Sequence, residues 1–347
     1  MLALAKVDAS RGLNLIEMPE PKVSEGQDVL VEVGACGICG SDVGTYLSEE
    51  RMISWMSRYG WPQVLGHEIA GIVREVGKEV TGFKPGDLVV SHPMPPCGFC
   101  FYCSRGQTNL CEGHDIDGLR RTRIGGYAKY ILVTPHYLLK MTENVPVEEA
   151  ALVEPLGVSL HAIERSHVKP GDSAAIIGPG ALGILAAMLL KLSGVQTLVV
   201  AGRKTSRERL NIAAEIGATT VELNGDNFLE KTRSLTAGLG ADVVFDFAGG
   251  PEAMSEAIKV VRKGGEIVMV GAGASGGFDQ NQILIKELTL LGSLNWQPTT
   301  WRRAVSLVSN RALDLSRVIT HVLPLEEFEQ AFQLLIERKA LKAVLAP

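Results

Sequence analysis

Six cysteines lie at positions 36, 39, 97, 100, 103 and 111, all in the first third of a 347-residue chain. Four of them, Cys97, Cys100, Cys103 and Cys111, read C-x2-C-x2-C-x7-C on a glycine-containing loop. Four thiolates at this spacing can close a tetrahedral zinc site with no open position, a metal that stabilises a lobe and does no chemistry. A disulfide framework instead spreads its cysteines through a small secreted domain, which a chain of this length is not. Free buried cysteines and an iron–sulfur cluster are the competing readings. A zinc ribbon on nucleic acid would need a flanking basic stripe that the loop lacks.

A second constellation is spread over three segments: Cys39 within Cys36-Gly-Ile-Cys-Gly-Ser-Asp42, His67 and Glu68 within Gly66-His-Glu68, and Glu154 opening Glu154-Pro-Leu156. A catalytic zinc needs about three protein ligands and one position for water or substrate. Cys39, His67 and a carboxylate supply the three. Taken alone, His67 reads as a structural histidine and Glu68 as a surface charge; their coincidence with the other segments carries the metal reading.

A third signal is Gly178-Pro-Gly180-Ala181-Leu182-Gly183, a G-x-G-x-x-G turn between the apolar run that ends at Ile177 and the helical stretch Ala181–Leu192. The glycines allow the tight turn, the approach of backbone to a pyrophosphate, and close helix–strand packing, with the helix N-terminus facing the phosphates. An acid at the end of the next strand would hold the ribose 2′-hydroxyl of NAD. Here that strand ends in Ala201 and continues Gly202-Arg203-Lys204, with Arg207 nearby. Thr205 and Glu208 have capping-box spacing, so Arg207 falls in the first turn of a helix. Cations there oppose the helix dipole unless an anion compensates them, and a 2′-phosphate is such an anion. NADP is therefore expected over NAD; solvated surface charges around a loop that accepts NAD are the alternative.

The elements that must position these groups fall into two patterns. To about residue 150 the chain is β-rich, with Val29–Val33, Ile69–Val76 and Asp87–Val90 as short β-branched runs and Lys84-Pro-Gly-Asp87 as a tight turn. From about residue 151, strands Ala174–Ile177, Thr197–Ala201, Asp242–Asp246 and Glu266–Val270 alternate with helical stretches Ala181–Leu192, Ser206–Ile216 and Glu252–Val261. That alternation predicts an α/β fold with a parallel, doubly wound sheet. Pro324–Ile336 reads as one amphipathic helix before a final short strand. The segment Leu47–Trp61, with Trp55, Met56 and Tyr59, either packs internally or lines a pocket for an apolar part of a substrate.

Bulk properties exclude several classes. A net charge of −5 without a basic run argues against nucleic acid or an anionic membrane as the main partner. The uncharged stretch Ser173–Leu190 has Gly178, Pro179, Gly180 and Gly183 in its first half or just beyond, and so reads as strand, turn, helix instead of a bilayer span. Asp8 and Arg11 interrupt the N-terminus before any signal-peptide core, and the expected location is cytoplasmic.

The motifs CGICGSD, GHE, the four-cysteine loop, EPL and GPGALG, in this order, resemble the zinc-containing medium-chain dehydrogenases, especially their polyol, sugar and threonine dehydrogenase branch. The resemblance spans essentially the whole chain. It implies a GroES-like β-rich catalytic domain, residues 1–152 and 296–347, and a Rossmann dinucleotide-binding domain, residues 153–295. It implies two zinc ions per chain, with Cys39 and His67 on the catalytic one and Glu68 and Glu154 as exchanging carboxylates. Ser41 would relay a proton and Asp42 would orient His67. Glu154 stands where simple alcohol dehydrogenases carry a third cysteine, which favours the polyol branch. Gly44 replaces a histidine common in the family, so a relay through that position is absent; Cys36 reads as a small buried residue. The implied reaction passes hydride between a small alcohol or polyol and NAD(P), in a homodimer or homotetramer whose Rossmann sheets, through Glu266–Val270 and Ile283–Ser293, pair across the dimer. A dinucleotide-binding protein that has lost catalysis has no use for the catalytic ligand set, and the zinc-independent enone or quinone reductases lack the cysteine loop.

Overall fold

The computed structural model describes residues 1–23, 26, 28–91, 96–112, 125–223, 227–273 and 276–347. The chain forms two compact units, Met1–Glu154 together with Gln297–Pro347, and Pro155–Trp296.

The first unit holds β1 (Leu2–Lys6), β2 (Asn14–Glu17), β3 (Val29–Gly37), β4 (Gln63–Val64), β5 (Glu68–Val76), β6 (Leu88–Ser91), β7 (Tyr130–Val133) and β8 (Leu138–Lys140). It is completed by the chain's last strands, β15 (Ile319–Pro324) and β16 (Lys342–Ala346). A small sheet runs β2-β1-β4, and a seven-stranded sheet runs β15-β16-β3-β5-β6-β8 with β7 also on β3. Within β3, Val29, Val31 and Val33 alternate inward with period two and pack with Ile69, Val73, Val89 and Ile131. The helix Phe328–Ile336 buries Phe328, Ala331 and Phe332 in the same core. The helix begins later than the sequence pattern suggests. Pro324 ends β15 and Leu325–Glu327 form a 3-10 turn, because the fixed φ of proline suits strand end better than helix interior. β16 joins β3 in antiparallel register, Val344 opposite Gly37 and Leu345 opposite Cys36. That pairing brings the C-terminal strand beside the cysteine segment.

The second unit holds β9 (Ser173–Ile177), β10 (Thr197–Gly202), β11 (Thr219–Glu222), β12 (Ala241–Asp246), β13 (Val261–Met269) and β14 (Thr289–Gly292). They form one parallel sheet in the order β11-β10-β9-β12-β13-β14. The order reverses between β9 and β12, which is the doubly wound topology expected from the alternating pattern. Parallel strands covered on both faces need continuous apolar runs, and Ala174–Ile177, Leu198–Ala201 and Val243–Phe245 are buried throughout. β13 lies inside the sheet with both edges occupied, so it has no edge free to pair with a second copy as the sequence suggested. In Ile283–Ser293 the first part belongs to a helix, Gln280–Lys286, and only Thr289–Gly292 is strand. Residues Ser173–Leu190 are β9, the glycine turn and the start of the helix Ala181–Leu192, and among the described residues no helix is long and apolar enough to cross a membrane.

Candidate metal and dinucleotide sites

In the first unit β3 ends at Gly37, and Cys39 caps the helix Gly40–Tyr46. The buried carboxylate of Asp42 reaches back and accepts from the Cys39 amide at 3.0 Å and from the Tyr127 hydroxyl at 2.9 Å. Its other oxygen lies 3.7 Å from Nδ1 of His67. That is longer than a hydrogen bond but places a charge beside the ring. Gly66, at φ +90°, turns the chain where an added Cβ would stand 2.6 Å from the Tyr127 ring, so the glycine is what lets the chain pass through His67 into β5 at Glu68. Glu68 then sits opposite Gly37, whose missing Cβ leaves the space that the Glu68 carboxylate fills.

The donor atoms of Cys39, His67 and Glu68 all lie within 4.8 Å of one another. Glu154, buried in the helix Val153–Arg165, lies outside that trio, yet its charge acts on both His67 and Lys342. Burial disfavours a proton on His67, but Asp42 and Cys39, and then Glu154, outweigh it and hold the imidazole well above its ordinary pKa. A sulfur, a nitrogen and a carboxylate oxygen converging amid excess negative charge are a donor set that fits zinc. Lys342, which sequence reasoning did not single out, opens β16 and lies buried against this set, its ammonium bonded to both Glu68 oxygens and to the Ile38 carbonyl at 2.9 Å. Burial opposes its charge, while Glu68 and Cys39 raise its pKa.

Ser41 is exposed in the first turn of the same helix, with its own carbonyl accepting from Thr45 at 2.9 Å. At Gly44 an added Cβ would meet Glu49 Oε2 at 2.8 Å, so Glu49 occupies the space a longer side chain would take. Cys36 is fully buried and its thiol is pushed up by that burial. In the segment of uncertain role, Met56 is buried and Trp55 is partly exposed; the side chain of Tyr59 lies outside the described set.

All four loop cysteines are free of disulfides, and their sulfurs lie within 4.8 Å of one another. Cys97 and Cys103 are 3.9 Å apart at sulfur and Cys100 and Cys111 4.0 Å. A regular tetrahedron with a Zn–S length of about 2.3 Å has edges of ~3.8 Å. Backbone amides point at the sulfurs: Cys97 N–H donates to Cys111 Sγ at 3.3 Å and Cys100 N–H to Cys97 Sγ at 3.4 Å. Backbone donors from Cys103 and Glu112 pull Cys100 down to about 6, whereas burial pushes Cys103 up to about 12. The geometry fits a closed S4 metal centre.

In the second unit the glycine turn follows β9 directly. Gly178 has φ +98°, and a Cβ there would meet the Ala248 amide nitrogen at 2.9 Å. A Cβ on Gly183 would overlap the Gly178 carbonyl. Gly180 is different: its φ is −74°, and among the described residues nothing lies within 4 Å of an added Cβ. The protein itself therefore has no need of a glycine at 180, and the open face above it is the kind of cradle that lets a pyrophosphate approach backbone. Ala181 and Leu182 open the helix, and the Leu182 carbonyl accepts from Ser159 Oγ at 2.9 Å. Gly202 ends β10, where a Cβ would stand 2.7 Å from Pro179 Cγ. Arg203 and Lys204 are exposed beyond it.

Arg207 falls in the first turn of a helix, as its place between Thr205 and Glu208 suggested. Lys204–Ser206 make a 3-10 turn, Ser206 is the N-cap, and Arg207 is the first residue of the helix Arg207–Glu215. Arg207 is also not without an anion, since its guanidinium pairs with Glu222 at 3.1 Å. Asp246, another residue the sequence reading passed over, ends β12 at the switch point beside Ile177. Its buried carboxylate accepts from the amides of Ala248 and Gly249, both at 2.9 Å, and burial pushes its pKa up.

Comparison with known proteins agrees with this architecture. The model of the alcohol dehydrogenase GroES-like domain matches residues 25–143, and that of the zinc-binding dehydrogenases matches residues 181–310. The chain is 33% identical to a sorbitol dehydrogenase of Halalkalibacterium halodurans, over 100% of this chain and 99% of the relative. It is 34% identical to an L-threonine 3-dehydrogenase of Bacillus velezensis, with the same coverage. Among solved structures, a zinc-binding dehydrogenase from Sinorhizobium meliloti 1021, bound to NADP, superposes with a TM-score of 0.84 at 29% identity, covering 100% of this chain and 99% of that one. The chain belongs to the zinc-dependent medium-chain dehydrogenase family, as an oxidoreductase of its alcohol and polyol dehydrogenases.

Proposed function

We propose that the enzyme oxidises a secondary alcohol, polyol or sugar-derived hydroxyl, or reduces the corresponding carbonyl, with two zinc ions per chain and NADP in preference to NAD. The first unit serves as the catalytic domain and the second as the dinucleotide-binding domain. The observation that carries the reading is the convergence of Cys39, His67 and Glu68 donors within 4.8 Å. When bound, a zinc ion supplies Lewis acidity that brings an oxygen ligand's pKa to about 7, and a nicotinamide supplies the hydride acceptor.

The chain's own residues do the rest. Cys39 and His67 would hold the metal, with Glu68 and Glu154 as its exchanging carboxylates, and the metal would supply Lewis acidity to the substrate oxygen. Asp42 fixes the Cys39 loop and biases the His67 ring. Ser41, exposed beside Cys39, accepts the substrate proton and passes it to water. Cys97, Cys100, Cys103 and Cys111 hold the second zinc as a staple. Gly178, Gly180 and Gly183, with the helix they open, bind the pyrophosphate, and Gly202, Arg203, Lys204 and Arg207 receive the 2′-phosphate. The outer edge of β14, with exposed Leu284, Ile285 and Leu294 nearby, offers the surface for a homodimer, alone or within a homotetramer.

The test is Cys39→Ser. It should lose turnover and one of two zinc ions while still binding dinucleotide; unchanged activity would refute the metal mechanism. A panel of secondary alcohols and polyols, each assayed with NAD and NADP, identifies the substrate class.

A further inference from the structure

We infer that Glu222 sets the balance between NADP and NAD by holding Arg207 in an ion pair at the ribose end of the dinucleotide site. The inference rests on the reading that Arg207 receives a 2′-phosphate. In a doubly wound sheet the dinucleotide lies across the C-terminal strand ends, and the end of the second strand faces the adenosine ribose. That strand is β10. Its terminal Gly202 abuts Pro179 of the glycine turn, so strand end and phosphate turn are contiguous.

The acid usually found at this strand end is absent, but the neighbouring strand brings one to the same edge. Glu222 is the last residue of β11 and stands in register beside Gly202, and the next amide, Leu223, donates to the Gly202 carbonyl at 2.8 Å. Its Oε2 accepts from Arg207 Nη2 at 3.1 Å and from Nε at 3.3 Å, so a single oxygen holds the guanidinium side-on.

The Arg207 side chain is 67% exposed and that of Glu222 34%. A pair this exposed is weak and exchanges readily. The two nucleotides therefore meet different costs. NAD presents an uncharged 2′-hydroxyl and leaves the pair intact. A 2′-phosphate must draw Arg207 off Glu222 before it gains the charge-assisted bonds that a guanidinium gives phosphate. Glu222 thus taxes NADP alone, and a carboxylate from β11 tempers a preference that Arg203, Lys204 and Arg207 create.

The experiment titrates the zinc-loaded enzyme with NADPH and NADH by nicotinamide fluorescence, for the parent protein, Glu222→Gln, Arg207→Ala and the double variant. Glu222→Gln should tighten NADPH by about fivefold, the effect of roughly 1 kcal/mol between screened charges, and leave NADH unchanged. In the Arg207→Ala background that gain should vanish. Glu222→Ser repeats the charge removal without an amide, and the NADH titration reports whether each variant keeps its fold. If Arg207→Ala weakens NADPH but Glu222→Gln changes nothing, the role of Glu222 is overturned and the NADP reading stands. An Arg207→Ala protein with unchanged NADPH affinity removes Arg207 from the 2′-phosphate site and overturns this inference, leaving the NADP reading to Arg203 and Lys204. A fivefold gain that persists without Arg207 overturns the ion-pair mechanism.

Discussion

The ammonium of Lys342 lies 2.7 Å and 2.8 Å from the two carboxylate oxygens of Glu68, with both side chains buried, although 274 positions separate them in the chain. The pair joins the first residue of β16 to the first residue of β5 and places a fixed positive charge behind a candidate metal ligand.

Breaking a buried pair by removing one partner leaves the other charged and unsolvated, at a cost of about 3–5 kcal/mol. Lys342→Met should therefore lower unfolding free energy by that order in denaturant titrations. It should also depress kcat, since Glu68 loses the group that fixes its carboxylate. Lys342→Arg keeps the charge and should recover most of the stability. Wild-type stability in Lys342→Met would show that the pair contributes nothing.

Asp42 should act on metal retention more than on folding. Groups that orient metal ligands typically contribute 10–100-fold in affinity, so Asp42→Ala should lose zinc to a competing chelator at about that lower threshold. Tyr127→Phe removes only one of the bonds to Asp42 and should cost about 1 kcal/mol of stability with zinc kept. Equal zinc retention by Asp42→Ala and the parent enzyme would reject the orienting role.

Two glycines of one turn should separate folding from binding. Gly183→Ala drives a Cβ into the Gly178 carbonyl, an overpacking worth about 1–3 kcal/mol, and should lower the melting temperature. Gly180→Ala meets nothing among the described residues and should melt as the parent does, while the KM for dinucleotide rises and the KM for alcohol stays. An unaltered dinucleotide KM in Gly180→Ala would place the pyrophosphate elsewhere.

His161 gives a pH dependence with a definite sign. It is buried in the helix Val153–Arg165, burial lowers its pKa, and its Nδ1 has no hydrogen-bond partner among the described residues. The folded state thus binds fewer protons than the unfolded state once pH drops below the unfolded value of about 6.5. Stability is intact above that pH and falls as pH decreases, until the folded pKa is passed. His161→Phe should flatten that part of the stability profile measured from pH 7.5 downward. An unchanged slope would mean that other groups carry the acid sensitivity.

The alternation of apolar strands and helices was enough to specify a parallel doubly wound sheet, because strands buried on both faces must be continuously apolar and so stand out. The candidate metal segments were legible for a related reason. Cysteine, histidine and glycine at such spacings have few alternative uses, and Cys97 to Cys111 lie close enough in sequence to be read as one unit. Charged partners were not legible. Lys342 meets Glu68 only because β16 returns to β3, and Glu222 meets Arg207 only because β11 lies beside β10 in register. The sequence argument named a 2′-phosphate as the anion for Arg207 and passed over Glu222 for that reason: a local pattern sees the helix start but not the neighbouring strand. Asp246 looked like the end of one more strand until the sheet order put it at the switch point. The sequence by itself determined the alternation of buried strands and helices and which residues are chemically able to bind metal and dinucleotide, since those depend on local periodicity and side-chain type. Tertiary structure alone decided which charges face one another, because pairing across strands distant in sequence follows sheet order and register.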